Sequence, residues 1–181
     1  MIRIEEIILQ EKENLGIHEY AFIQSDQVIF SDEVRQLCEQ NVCRMYGTSW
    51  ACPPAVGSIE ACRAKCAQFE NAFIFTTLAK LTPRYFPDMN EWREARIIHE
   101  AITEKAASIF RSEFSTILTL SAEGCLICKS CTYPEKACRF PERMFPATEG
   151  FGILVVEQAK ECGIKYNNGP HTISYFSMIF F

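Results

Sequence analysis

The last eleven residues, 171-HTISYFSMIFF-181, decide how the chain can fold. From Tyr175 to Phe181 only Ser177 interrupts a run of apolar side chains. A strand with one wet face alternates polar and apolar residues, whereas an unbroken run is covered on both faces. The run is far too short to cross a bilayer, which needs roughly 20 apolar residues. It therefore reads as a strand inside a sheet with packed layers on both sides. Partners stand upstream. The segment 72-AFIFTTLA-79 is rich in aromatic and β-branched residues, 115-STILTLS-121 is a second strand, and 17-IHEYAFIQ-24 a third.

Helix signals fall between these strands. Ser31 caps a helix to about Gln40, with Val34, Leu37 and Cys38 on one side. Ser58 caps another to about Phe69, with Ile59, Cys62, Cys66 and Phe69 on one face. A loop with two prolines, 81-LTPRYFPD-88, leads to Asp88 and Glu91, spaced as a capping box. The helix they open, 89–112, is the longest, with Ile98, Ala101, Ile102 and Ile109 as its expected buried stripe. Thr148 caps a last helix that ends at Cys162 and is stopped by Gly163. The stretch 41-NVCRMYGTSWACPPAVG-57 has turn chemistry and no period, and Pro53-Pro54 forbids a helix there. These elements predict an α+β fold: a single domain over residues 1–181, with helices packed on a small mixed sheet and a cysteine-rich loop.

Composition narrows the function. Of 181 residues, 48% are hydrophobic and 23% charged, with a net charge of −5. No basic stripe exists to displace counterions from nucleic acid. The N-terminal MIRIEEIILQEKE turns acidic within five residues and lacks the apolar core of a signal peptide. The expectation is a soluble, cytoplasmic protein with neither nucleic-acid nor membrane partners. In such a reducing compartment, ten cysteines point to metal ligation or redox chemistry rather than disulfides.

The most informative cysteines lie in 125-CLICKSCTYPEKACRFPE-142. Cys125, Cys128 and Cys131 recur at every third position, so three thiolates can wrap one centre while backbone N–H groups face the sulfurs. Bacterial ferredoxins use the same three-ligand core, but with a shorter gap to a fourth cysteine. Here the fourth is Cys138. The pattern favours a [4Fe–4S] cluster. Zinc is the alternative, although closed zinc sites usually combine two separated pairs. A second group, Cys38, Cys43 and Cys52, can ligate a second metal, lend a ligand to the first, or simply pack. Cys38 lies on an apolar helix side, Cys62 and Cys66 lie on another, and Cys162 ends a helix, so packing is the favoured reading for these four. Tyr46, Trp50 and Cys52 are the residues expected to border the cofactor as a lid on the 125–138 loop. The alternative is that this segment packs elsewhere.

Three stretches, LCEQNVCRMYGTSWACPPAVGSIEAC, CLICKSCTYPEKACRFPE and GIKYNNGPHTISYFSMIFF, together resemble a family of predicted metal-binding proteins, a cysteine-rich domain of unknown function. The resemblance runs from about residue 17 to the C-terminus and implies metal binding without implying a reaction. Two departures stand out: Arg44 where a glycine often follows the cysteine, and 146-PATEG-150 in place of a Pro-Ser helix start.

The remaining polar residues are weaker signals. Asn167-Asn168-Gly169 is a turn signal first and a donor pocket second. His18, His99 and His171 have no partners at ligand spacing. Lys129, Lys136 and Arg139 either offset thiolate charge or dock an acidic partner. No Ser-His-Asp set, H-E-x-x-H helix or phosphate-binding glycine loop is present. Three functions stay open: an iron–sulfur protein serving a redox partner, a zinc-stabilised interaction module, or an enzyme whose metal keeps an open position.

Overall fold

The computed structural model describes residues 2–85 and 88–181; Phe86 and Pro87 of the proline loop lie outside the described residues. Four strands, β1 (Tyr20–Gln24), β2 (Asn71–Lys80), β3 (Leu118–Leu120) and β4 (Thr172–Phe180), form one sheet in the order β1-β2-β4-β3. Every pairing is antiparallel, where the alternation of strands and helices had suggested a mixed sheet. The fold class is α+β as expected.

The tail strand is central. β4 pairs with β2 from Ala72↔Phe180 to Lys80↔Thr172, and with β3 from Leu118↔Phe180 to Leu120↔Met178. Its side chains divide with period two. Phe176, Met178 and Phe180 join one core with Ile74, Leu120, Phe151 and Ile153. Ile179 and Phe181 join the other with Phe73, Phe75 and Phe110. Both cores are built of apolar side chains, which is why the run carries almost no polar break.

The second core rests on two helices, α1 (Ile2–Leu15) and α4 (Met89–Glu113). The first was not anticipated, although Ile4 and Ile8, one turn apart, are its fully buried anchors. On α4, Asp88 caps by accepting from the Asn90 N–H at 2.9 Å. Glu91 accepts from the Thr82 N–H instead of closing a capping box. The buried stripe is also rotated: Ile98 is 59% exposed and Ala101 faces out, while His99, Thr103, Ala106 and Phe110 point inward. Apolar character alone picked the wrong isoleucine, because a polar ring is satisfied inside.

On the opposite face lie α2 (Asp32–Glu39), α3 (Ile59–Cys66) and α5 (Val155–Glu161). Ser31 and Ser58 cap the first two as expected, accepting from Glu33 and Ala61 N–H groups. Ile59, Cys62 and Cys66 are buried, and burial pushes the Cys66 thiol up to about 12, so these thiols serve as small hydrophobes. In α2, however, Leu37 is 60% exposed and Arg35 turns inward. Its guanidinium donates to the carbonyls of Gly57 and Gly150 and so ties two loops together. The last helix starts later than Thr148. A short 3-10 turn, Glu149–Phe151, ends in Gly152 at φ +83, where a Cβ would meet Ile59 at 2.6 Å. Only glycine fits both constraints.

A polar chain crosses the interface between α4 and the sheet. Ser121 Oγ donates to Glu100 Oε1 at 2.7 Å, and Ser177 Oγ donates to Ser121 Oγ at 3.2 Å. With its one hydrogen so used, Ser177 accepts from His99 Nε2 at 2.8 Å, and His99 Nδ1 accepts from the Thr77 hydroxyl at 2.9 Å. His99 is thereby fixed as one neutral tautomer, and burial lowers its pKa to about 3. The unfolded ring titrates near ~6.5, so this contribution to stability is complete above that pH. It is lost as pH falls from there toward about 3, because the unfolded chain takes the proton first. We expect His99→Gln to be less stable near neutrality but to show a flatter decline, by about 1 kcal/mol per pH unit below pH ~6. Urea midpoints of both proteins at several pH values test this; parallel declines would refute it.

Candidate metal centre

The cysteine loop hangs from a pinch in the backbone. Just beyond β3, Ser121 N–H donates to the Pro146 carbonyl at 2.9 Å, and Thr148 N–H donates to the Ser121 carbonyl at 2.8 Å. The Thr148 hydroxyl, expected to cap a helix, donates to the same Ser121 carbonyl at 3.0 Å. The intervening residues form an Ω-like loop with closed ends and no regular element. Inside it Thr132 Oγ1 donates to the Ala137 carbonyl and the Arg139 guanidinium donates to the Ser130 carbonyl. Arg96 of α4, buried, braces the loop's first residues through an ion pair with Glu123 at 2.9 Å.

Cys125, Cys128, Cys131 and Cys138 line one cavity in this loop. Three sulfurs accept backbone N–H bonds from two residues ahead: Ile127 to Cys125 at 3.5 Å, Tyr133 to Cys131 at 3.5 Å, and Phe140 to Cys138 at 3.4 Å. Such donors lower the energy of a thiolate and orient it. Burial pushes the Cys125 thiol up, and the Ile127 N–H opposes that shift. The open space among the thiols is about 20 Å³, little more than one water occupies. Among the described residues, no three His, Cys, Asp or Glu side chains are gathered closely enough to hold a single ion.

Trp50 shares the wall of this cavity. Its indole Nε1 donates to the Lys136 carbonyl at 3.1 Å, and its ring meets Tyr133 edge-on, with centroids 5.0 Å apart at 90°. A further bond joins the two segments, from the Ala147 N–H to the Ala51 carbonyl at 2.9 Å. Cys52 is buried one layer below. Its Sγ would lie 3.3 Å from a Cβ on Gly124, the residue before Cys125. Tyr46 stands farther off, lining a shallow depression with Pro53, Pro54 and Arg35. Cys43 is exposed, and the Cys38 thiol faces the Glu149 carbonyl at 3.9 Å.

The histidines stay apart from this loop. His99 belongs to the buried chain, and His18 Nε2 lies 3.5 Å from Asn168 Oδ1. The Asn-Asn-Gly segment is a turn, with Gly169 N–H donating to Asn167 Oδ1 and Asn168 Nδ2 donating to Ser174 Oγ. Sequence reasoning missed Glu100, on α4, and Ser121, just beyond β3, which border the loop. Their only signal was a polar residue beside each expected apolar stripe. Burial pushes the Glu100 carboxyl up.

Residues 21–181 match the DUF2284 family of predicted metal-binding proteins, and the chain belongs to that family. No curated protein and no solved structure matches it. Arg44, where a glycine often stands in such sequences, has φ +60, a conformation glycine adopts at no cost. No helix among the described residues is long and apolar enough to cross a membrane.

Cys52 is 5% exposed and burial pushes its thiol up to about 11, against a hydrogen bond with the Ser49 side chain, so it is a neutral buried group. Cys52→Ser would exchange the thiol for a smaller, more polar hydroxyl in this buried position, with Ser49 as its neighbour, and should cost about 1 kcal/mol in urea unfolding. Cys43→Ser, at an exposed position, should change stability by less than about 0.5 kcal/mol. Equal effects of the two substitutions would contradict this placement.

Proposed function

We propose that Cys125, Cys128, Cys131 and Cys138 hold an iron–sulfur centre of the [4Fe–4S] type and that the protein passes electrons to or from a partner protein. One observation carries the reading: four thiols share a cavity, and three already accept backbone N–H bonds in a loop closed at its base. A bound cluster supplies reversible one-electron transfer, tuned by hydrogen bonds to sulfur and by solvent exposure. The chain's own residues supply that tuning. Ile127, Tyr133 and Phe140 present the N–H groups, and Trp50 closes one side. Cys52 supports the loop from beneath Gly124, whereas Tyr46 stands outside the cavity. Lys129, Lys136 and Arg139 are exposed around the loop and suit a partner with an acidic face.

Zinc is the second reading, favoured by the small space among the thiols. It would contribute folding energy and no redox chemistry. The three cysteines at every third position favour the cluster, since closed zinc sites usually combine two separated pairs. The cluster reading requires the loop to widen, which its lack of regular structure allows.

Anaerobic purification with iron, zinc and sulfide analysis decides between them. We expect iron and acid-labile sulfide at about 4 each per chain, lost in Cys128→Ser and retained in Cys62→Ser. Stoichiometric zinc without sulfide would establish the second reading instead. Trp50→Ala should leave the initial metal content intact yet speed its removal by a chelator about tenfold, since the side wall is gone. An unchanged release rate would remove Trp50 from the site.

A further inference from the structure

We infer that the groove between α4 and the first turn of the cysteine loop binds a small organic carboxylate with an apolar body. The groove encloses about 460 Å³, within the range of roughly 300–1,000 Å³ usual for small-molecule sites. Its walls are mainly apolar. Ile97 and Ala101 come from α4, Ile127 from the loop, and Phe145 closes the far side. Ile97 is 45% exposed and Ile127 36%, so this apolar surface faces solvent, a cost that a bound apolar body would relieve.

Charge gives the groove a direction. Lys105 and Arg143 both line it, and neither has an acidic partner among the described residues. The acid next to Lys105, Glu104, is neutralised by Arg111 at 3.1 Å, and Arg111 in turn donates to the carbonyl of Glu142, the residue before Arg143, and lies over the Phe145 ring. This end is therefore net positive. At the other end Glu100 is held by the Ser121 hydroxyl next to Cys125. Lys105 lies five residues beyond Glu100 on the helix, about 7.5 Å along the axis. An anion is attracted to Lys105 and Arg143 and repelled from Glu100. The ligand's carboxylate thus sits at the cationic end, and its apolar body points toward Ile127 and Cys125. The groove shares Cys125 and Ile127 with the cysteine cavity, so the body would end against the loop proposed to hold metal. The binding itself rests on the groove and its charges, whichever metal that loop takes.

Ligand-observed NMR on the full chain as isolated provides the test, with metal content recorded in parallel. The probes are 3-phenylpropanoate and 4-methylpentanoate, each paired with its uncharged amide. We expect the acids to bind about tenfold more tightly than the amides, and Lys105→Met and Arg143→Gln each to weaken the acids about tenfold, the share of one charged contact. Ala101→Trp, at an exposed helix position, should fill the groove and abolish binding; Ile97→Trp serves the same purpose if that variant fails to fold. Lys160→Met, on α5, should change nothing. Equal binding of acids and amides, binding that survives the tryptophan variants, or no binding of either acid at millimolar concentration would overturn the inference. Loss of metal from Cys128→Ser with carboxylate binding retained would separate the two sites.

Discussion

The pairing of the C-terminal strand between β2 and β3 is the constraint on which the other features depend. β4 supplies hydrogen bonds to both neighbours and side chains to both cores. Moving it by one residue would carry Phe176, Met178 and Phe180 to the α4 side and put Ser177 into the opposite core. The register is therefore held by two packed faces at once. The same register places Ser177 opposite Phe75 and within reach of His99.

That placement links packing to the site. β3 is only three residues long, and its last residue, Leu120, pairs with Met178 of β4. Ser121 follows, closing the loop base through Pro146 and Thr148 and reaching Glu100 with its hydroxyl. The long excursion that carries four cysteines is thus anchored on the sheet at its base. Loops of this kind gain order from their ends and from internal side-chain bonds, here Thr132, Arg139 and Trp50.

The buried polar chain serves the same end. A histidine in a dry interface costs free energy unless both nitrogens are satisfied, and Thr77 and Ser177 satisfy them. Because each hydroxyl has one hydrogen, the donors line up toward Glu100. The helix α4 is thereby fixed in rotation as well as in position. Its outer face then presents Ile97, Ala101 and Lys105 in a row, one turn apart, beside the cysteine loop.

Much of this was written locally in the chain. Strand identity at 72–79 and 171–181 followed from composition, caps at Ser31, Ser58 and Asp88 from short-range hydrogen bonding, and the family resemblance from the cysteine and Trp-x-Cys-Pro-Pro segments. Each rests on residues near one another in sequence, where propensity and spacing act directly. Which face of a helix turns inward was not local. Arg35 and His99 are buried while Leu37 and Ile98 are exposed, because partners far along the chain satisfy the polar groups. The approach of Trp50 to Lys136, 86 residues away, and the groove formed by α4 with Ile127 and Phe145 likewise exist only once the sheet is assembled. The sequence by itself determined the strands and most of the helices, though not α1, together with the thiol spacing and the family. Tertiary structure decided which side chains those thiols face, because long-range hydrogen bonds and shared cores set orientation, and no periodic pattern encodes them.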